Sequence, residues 1–264
     1  MGGPMRCGSG GTPVGAFVGG KVQDPVAVGT ALKQLLARTE ITETRALIAV
    51  SDTVATFRVL KFPRPTSDQE IDTAVAKALP LDPERMTIRW VDLHTAPEPR
   101  LVYAAAWDRA LVKNVTEAAK VAGLEATAVD LKSACVARAV AEPSCVVVDM
   151  NSEPVEIFLI DGHLPQLWHS LQLHVTMGDD PAPALAAPLR SVLRFYKRRR
   201  DTEFGSRSPV LISGEQVMPA MVAARLSELV DHPVEVLPVP GRVPPEIRHT
   251  TYLTCLGLIM RRTG

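Results

Sequence analysis

The chain has 264 residues, 46% of them apolar and 22% charged, an ordinary globular composition with room for one large domain or two closely packed ones. Lysine plus arginine equals aspartate plus glutamate at 29 each, so no global field marks a nucleic-acid or anionic-membrane binder. No apolar run approaches the roughly 18 residues that span a bilayer, and the Gly-rich start lacks an apolar signal core, which predicts a cytoplasmic protein. Cys7, Cys135, Cys145 and Cys255 are widely separated, and three lie inside apolar stretches, as reduced core cysteines do.

Residues 1–13 carry five glycines and no periodicity, so they are expected to be disordered and outside the fold. Asp24 and Pro25 read as the cap and first turn of a helix through Leu32, Leu35 and Leu36. Two strand patterns follow, ALIAV (46–50) and VATFRVLKF (54–62). Ser67 and Glu70 form a capping-box signature before Ile71, Ala74, Val75, Ala78 and Leu79, which repeat at helical spacing. MTIRWVDL (86–93) and LVYAAAW (101–107) are strands, and Asp108 caps a helix ended by Gly123. The segment 45–127 therefore reads as a small β-β-α-β-β-α module.

Asp130 then predicts a second capped helix running to Val140, and CVVVDM (145–150) is continuously apolar, as a covered strand should be. Val155, Ile157 and Leu159 lead into the hairpin dipeptide Asp161-Gly162, and LPQLWHSLQL (164–173) returns antiparallel. Leu189, Val192, Leu193 and Tyr196 mark one helix, VLIS (210–213) a buried strand, Val222, Leu226 and Leu229 another helix, and PVEVL (233–237) an edge strand. The last helix presents Leu253, Leu256, Gly257 and Met260, with Gly257 implying close backbone packing.

The run VLKFPRPTSDQEIDTAVAKALPLDPERM (59–86) and the stretch LVYAAAWDRALVKNVTEAAKVAGLEATAVDLKSACVARAV (101–140) resemble the PilM family of actin-like pilus assembly proteins. VVVDMNSEPVEIFLIDGHLPQLWHS (146–170) is similar to that family's phosphate-binding hairpin, VLISGEQVMPAM (210–221) to its adenosine loop, and YLTCLGLIMRR (252–262) to its closing helix. The resemblance covers 44–264. It implies an actin-like (RNase H-like) α/β fold with an inserted SHS2-like module at 45–127, a remnant of the first half at 14–44, and 128–264 returning to the first half and building the second.

Carried onto this sequence, the nucleotide site would use Asp149, Asn151 and Ser152 from the hairpin and Ser213 and Gly214 from the adenosine loop. Actin-like sites hold phosphates between two hairpins whose backbone N–H groups approach oxygen closely. The first hairpin should precede residue 14, where only the Gly-rich start stands. Asn151 and Glu215 replace family glycines, and Glu153 adds negative charge beside the expected phosphates. Weakened ATP and magnesium binding is therefore expected, with no cofactor required and no catalytic residue. Asp149 and Ser213-Gly214 also suit a plain role in capping strand ends and helix starts.

No P-loop, nucleophile-elbow, HExxH or CxxC pattern occurs, and His163, His169 and His174 lack metal-ligand spacing. KRRR (197–200) complements the C-terminal dipole of its helix or meets an anion such as a lipid headgroup. The resemblance implies a non-catalytic platform peripheral to the inner membrane, docking the cytoplasmic tail of a PilN-like single-span protein in a groove beside 45–127. Nucleic acid is not an expected partner, and homo-oligomerisation is left open. The alternatives are a nucleotide-switched PilM or FtsA-like protein, and an L-type component of type II secretion.

Overall fold

The computed structural model describes residues 5–79, 82, 84–93, 99–151, 154–173, 180–197, 204–214, 218–239, 243, 247 and 250–261. The chain divides into two compact units, Met1–Lys132 and Ser133–Gly264.

In unit 1, residues 5–13 form no helix or strand and run beside the end of the first helix, where Arg6 pairs with Glu40 at 2.5 Å. β1 (Phe17–Val18) and β2 (Lys21–Val22) form a hairpin turned by Gly19 and Gly20, both at positive φ. α1 (Pro25–Arg38) begins as the sequence predicts, with the Asp24 carboxylate accepting from the Val26 and Ala27 amides. β3 (Arg45–Val50) leads through a 3-10 turn at Asp52–Val54 into β4 (Ala55–Phe62). α2 (Asp68–Ala78) carries the complete Ser67/Glu70 capping box. β5 (Met86–Asp92), β6 (Arg100–Asp108), α3 (Arg109–Val121) and β7 (Glu125–Leu131) follow.

Three strands make an antiparallel sheet in the order β4-β6-β5, and α2 covers one face by burying Ile71, Val75 and Leu79 against Val102, Ala104 and Ala106. Each of those helix side chains is worth about 1.5–3 kcal/mol of transfer energy. β3 and β7 pair in parallel as a separate ribbon. α1 lies on α3 at Gly29, where a Cβ would come within 2.5 Å of the Ala118 carbonyl oxygen. The segment 14–44 is thus in the same unit as the 45–127 module.

The helix expected from Asp130 begins later. Asp130 belongs to β7, whose parallel ladder with β3 continues through Leu131, and α4 spans Lys132–Ala139. Pairing with a distant strand overrides the local capping preference of an aspartate.

Unit 2 is built on a five-stranded sheet of order β10-β9-β8-β11-β12. β8 (Cys145–Asp149), β9 (Val155–Asp161) and β10 (Leu164–Leu171) are mutually antiparallel, as the hairpin reading requires. β11 (Val210–Ser213) and β12 (Val234–Val236) run parallel to β8. The β9–β10 turn is centred on Gly162 and His163, at φ 61° and 60°, one residue later than the Asp161-Gly162 reading.

α5 (Ala182–Lys197) and α6 (Pro219–Ser227) bury Leu189, Leu193, Val222 and Leu226 on the face formed by Val146, Val148, Ile157 and Ile212. α4 and α7 (Leu253–Ile259) cover the opposite face, formed by Val147, Phe158, Ile160 and Leu211. Gly257 packs backbone to backbone as expected, since a Cβ there would lie 1.8 Å from the Cys135 carbonyl oxygen. No helix among the described residues is long and apolar enough to cross a membrane.

Candidate functional site

The expected nucleotide-site residues in unit 2 converge at the ends of β8 and β11. These strands pair in parallel with Ser213 beside Asp149, and both side chains are buried, at 0% and 3% exposure. Successive residues of a strand alternate faces, so the two polar groups share the α4/α7 face just beyond the apolar run. Gly214 follows at φ +122°, and a Cβ on it would sit 2.5 Å from the Met150 carbonyl carbon. Direct contact between the two loops therefore requires glycine there, without reference to a ligand.

Asp149 is held from within. Its Oδ1 accepts from the Asn151 amide nitrogen at 3.1 Å and from Asn151 Nδ2 at 2.8 Å. The same Nδ2 donates to the Thr250 carbonyl at 2.6 Å, and Ser213 Oγ donates to that carbonyl at 3.0 Å. The Asn151 side chain thus ties the β8 turn to the segment entering α7, and its amide occupies space that a glycine would leave clear. Ser152, Glu153 and Glu215 lie outside the described residues.

Sequence reading missed Glu156, which stands opposite Asp149 in the β8–β9 register and is 7% exposed. Directly paired residues of an antiparallel ladder project to one face, so the two carboxylates share a face at the end of β8. Glu156 Oε1 accepts from Trp168 Nε1 at 2.8 Å. The period-2 pattern of 155–159 shows only that Glu156 faces away from Val155 and Ile157. Placing it beside Asp149 needs the strand pairing. Thr250 was missed too, because it contributes a backbone carbonyl. Elsewhere in unit 2, Asp161 accepts from Ser144 Oγ at 2.8 Å and Tyr196 Oη at 3.0 Å, a buried structural clasp.

Among the described residues no group of three or more histidines, cysteines or carboxylates could hold a metal ion. His163 sits in the β9–β10 turn and His169 on β10, while His174 lies outside the described residues. Lys197 ends α5 exposed, and Arg198–Arg200 are likewise outside.

Unit 1 holds a cleft of about 340 Å³ on the face of the three-stranded sheet opposite α2. Val54, Ala55, Tyr103, Trp107, Val112 and Leu131 line it, with Asp130 at its wall. Alternation along β6 creates this arrangement: Val102, Ala104 and Ala106 turn to α2, and Tyr103, Ala105 and Trp107 turn to the cleft. Tyr103 stacks on Phe57 with ring centroids 5.8 Å apart.

A mixed five-stranded sheet between helix pairs sets the architecture of unit 2. The chain has an actin-like fold. It is similar to a solved PilM-PilN type IV pilus biogenesis complex, with a TM-score of 0.69 and 20% identity over 94% of this chain and 88% of that one. The ethanolamine utilization protein EutJ of Carboxydothermus hydrogenoformans matches with a TM-score of 0.51 and 13% identity, over 93% of this chain and 77% of that one. The cytoplasmic domain of EpsL, an inner-membrane component of the Vibrio cholerae type II secretion system, matches with a TM-score of 0.51 and 9% identity, over 89% and 82%. At these identities the likeness is one of fold. No protein-family model and no curated protein matches the chain.

Proposed function

We propose that the chain is a non-catalytic assembly platform of a pilus-like inner-membrane complex, and that its cleft in unit 1 docks the short cytoplasmic tail of a PilN-like single-span membrane protein. The observation that carries the non-catalytic reading is the Asp149–Asn151–Thr250 clasp. An aspartate that must orient magnesium needs lone pairs directed to solvent, and here one oxygen is committed to two donors of the same turn. The adjacent Glu156 carboxylate adds repulsion toward phosphate.

The docking reading rests on the cleft's chemistry and on the PilM-PilN likeness. An apolar recess with aromatic walls and a few polar groups suits burial of two or three side chains from an extended or helical tail. Residence at the cytoplasmic face of the inner membrane follows from that partner. The EpsL likeness, over 89% of this chain, favours as second reading the equivalent role in a secretion system.

Two experiments test this. Titration calorimetry with magnesium and ATP is expected to give no binding tighter than about a micromolar, some 8 kcal/mol, and tighter binding would overturn the inert-site reading. A pull-down with the tail of a single-span membrane protein encoded beside this chain is expected to succeed for wild type and to fail for Trp107→Glu. Equal capture by both would remove the cleft as the docking site.

A further inference from the structure

We propose that the outward face of α5 near its C-terminus is a direct contact site for an anionic phospholipid surface. α5 buries Leu185, Leu189, Val192, Leu193 and Tyr196, which leaves Arg190, Arg194, Phe195 and Lys197 exposed. Phe195 is 63% exposed between two cations. Over its whole length, Ala182–Lys197, α5 holds three basic residues and no acidic one, a local +3 in a chain whose net charge is +0.

The helix dipole accounts for part of this, because cations at a helix C-terminus are stabilised by the last carbonyls. It gives no reason for an exposed phenyl ring among them. At a bilayer the two features act together: basic side chains extend to headgroup phosphates while an aromatic ring enters the boundary between headgroups and acyl chains. Each basic residue near an anionic leaflet strengthens binding about fivefold. Duplex nucleic acid would engage the same cations through its phosphates, but it offers the ring no apolar layer. A single strand could stack on the ring. The lipid reading is favoured because Phe195 is the only aromatic residue among these exposed positions, and stacking grooves use several.

This site is independent of partner docking, and its test uses the full chain with no partner present. Co-sedimentation is measured on phosphatidylcholine vesicles with and without about 30% phosphatidylglycerol. The chain is expected to bind the anionic vesicles at least about tenfold more tightly than the neutral ones, and to lose that preference when salt rises from about 0.1 M to about 0.5 M. Arg194→Glu combined with Lys197→Glu should weaken binding more than about 25-fold. Arg194→Gln with Lys197→Gln serves as the milder pair should charge reversal unfold the helix end, and is expected to weaken binding about 25-fold at an unchanged melting temperature. Phe195→Ser should weaken vesicle binding about threefold while leaving binding to duplex DNA unchanged. Equal partition into neutral and anionic vesicles overturns the proposal, as do double variants that bind like wild type. A Phe195→Ser protein that keeps full vesicle affinity but loses a single-stranded oligonucleotide replaces the lipid with nucleic acid.

Discussion

Two strands with parallel neighbours, β11 in unit 2 and β3 in unit 1, start from the same kind of sequence and end differently. In unit 2, the run VLIS of β11 lies between β8 and β12, and all four of its residues are buried. In unit 1, the run ALIAV within β3 pairs with β7 alone, and only Val50 is buried. A continuous apolar strand belongs to a layer covered on both faces, a condition that unit 2 meets with its own helices and unit 1 meets only partly. Unit 2 therefore covers both faces of its sheet, and polar groups at its strand ends are bonded within the unit. Unit 1 leaves its parallel ribbon half-buried and lines the Trp107 cleft with apolar side chains.

The strongest way to break this comparison is to damage the closed body. Gly257→Val places side-chain atoms where Cys135 backbone stands, so unit 2 should lose about 3 kcal/mol, read as faster hydrogen exchange across β8, β9 and β11 with the β4-β6-β5 sheet unchanged. Equal loosening of both units would show that they do not stand separately. Asp161→Ala removes the acceptor of two buried hydroxyl donors and should cost about 2 kcal/mol in a denaturant titration.

A smaller effect sharpens the account of unit 1. The Arg85 guanidinium, bonded to Asp108 at 2.5 Å, together with the amides that Asp108 caps, holds its carboxyl below the ordinary aspartate value. A depressed carboxyl contributes stability above its unfolded value of about 3.9, and that contribution is lost as pH falls through the lower folded value. Asp108→Asn should therefore flatten the dependence of the urea midpoint on pH below about 4. Arg85 is largely exposed, so added salt should shrink the effect. Smallest of all is a chemical difference: burial pushes the Cys145 thiol up to about 12, so native protein at mild alkaline pH should be alkylated at exposed Cys7 and Cys255 and spared at Cys135 and Cys145. Rapid labelling of Cys145 would mean that unit 2 opens more readily than its packing implies.

Much of the fold was legible because the periodic signals were local. The capping box at Ser67, the Asp24 and Asp108 caps, the apolar runs of β8 and β11 and the close-packed Gly257 each state their structure within a few residues. The Asp130 helix start was misread because a strand pairing between residues 45–50 and 125–131 decides it. The polar residues at the ends of β8 and β11 were legible one by one but not as an arrangement. Asp149, Asn151, Ser213 and Gly214 do come together, whereas Glu156 and the Thr250 carbonyl join them only through register and loop path. The lining of the unit 1 cleft was not legible, because it depends on which face of β6 turns from α2.

Partner docking in unit 1, as proposed, does not depend on the Asp149 site in unit 2. This independence is tested most directly by measuring the affinity of the membrane-protein tail for wild type, Trp107→Glu and Asp149→Ala, each with and without magnesium and ATP. Trp107→Glu is expected to abolish binding, Asp149→Ala to bind like wild type, and ATP to change neither. A change of more than about fivefold on adding ATP to wild type, abolished by Asp149→Ala, would reveal a coupling of roughly 1 kcal/mol between the sites and make the protein a nucleotide-controlled switch.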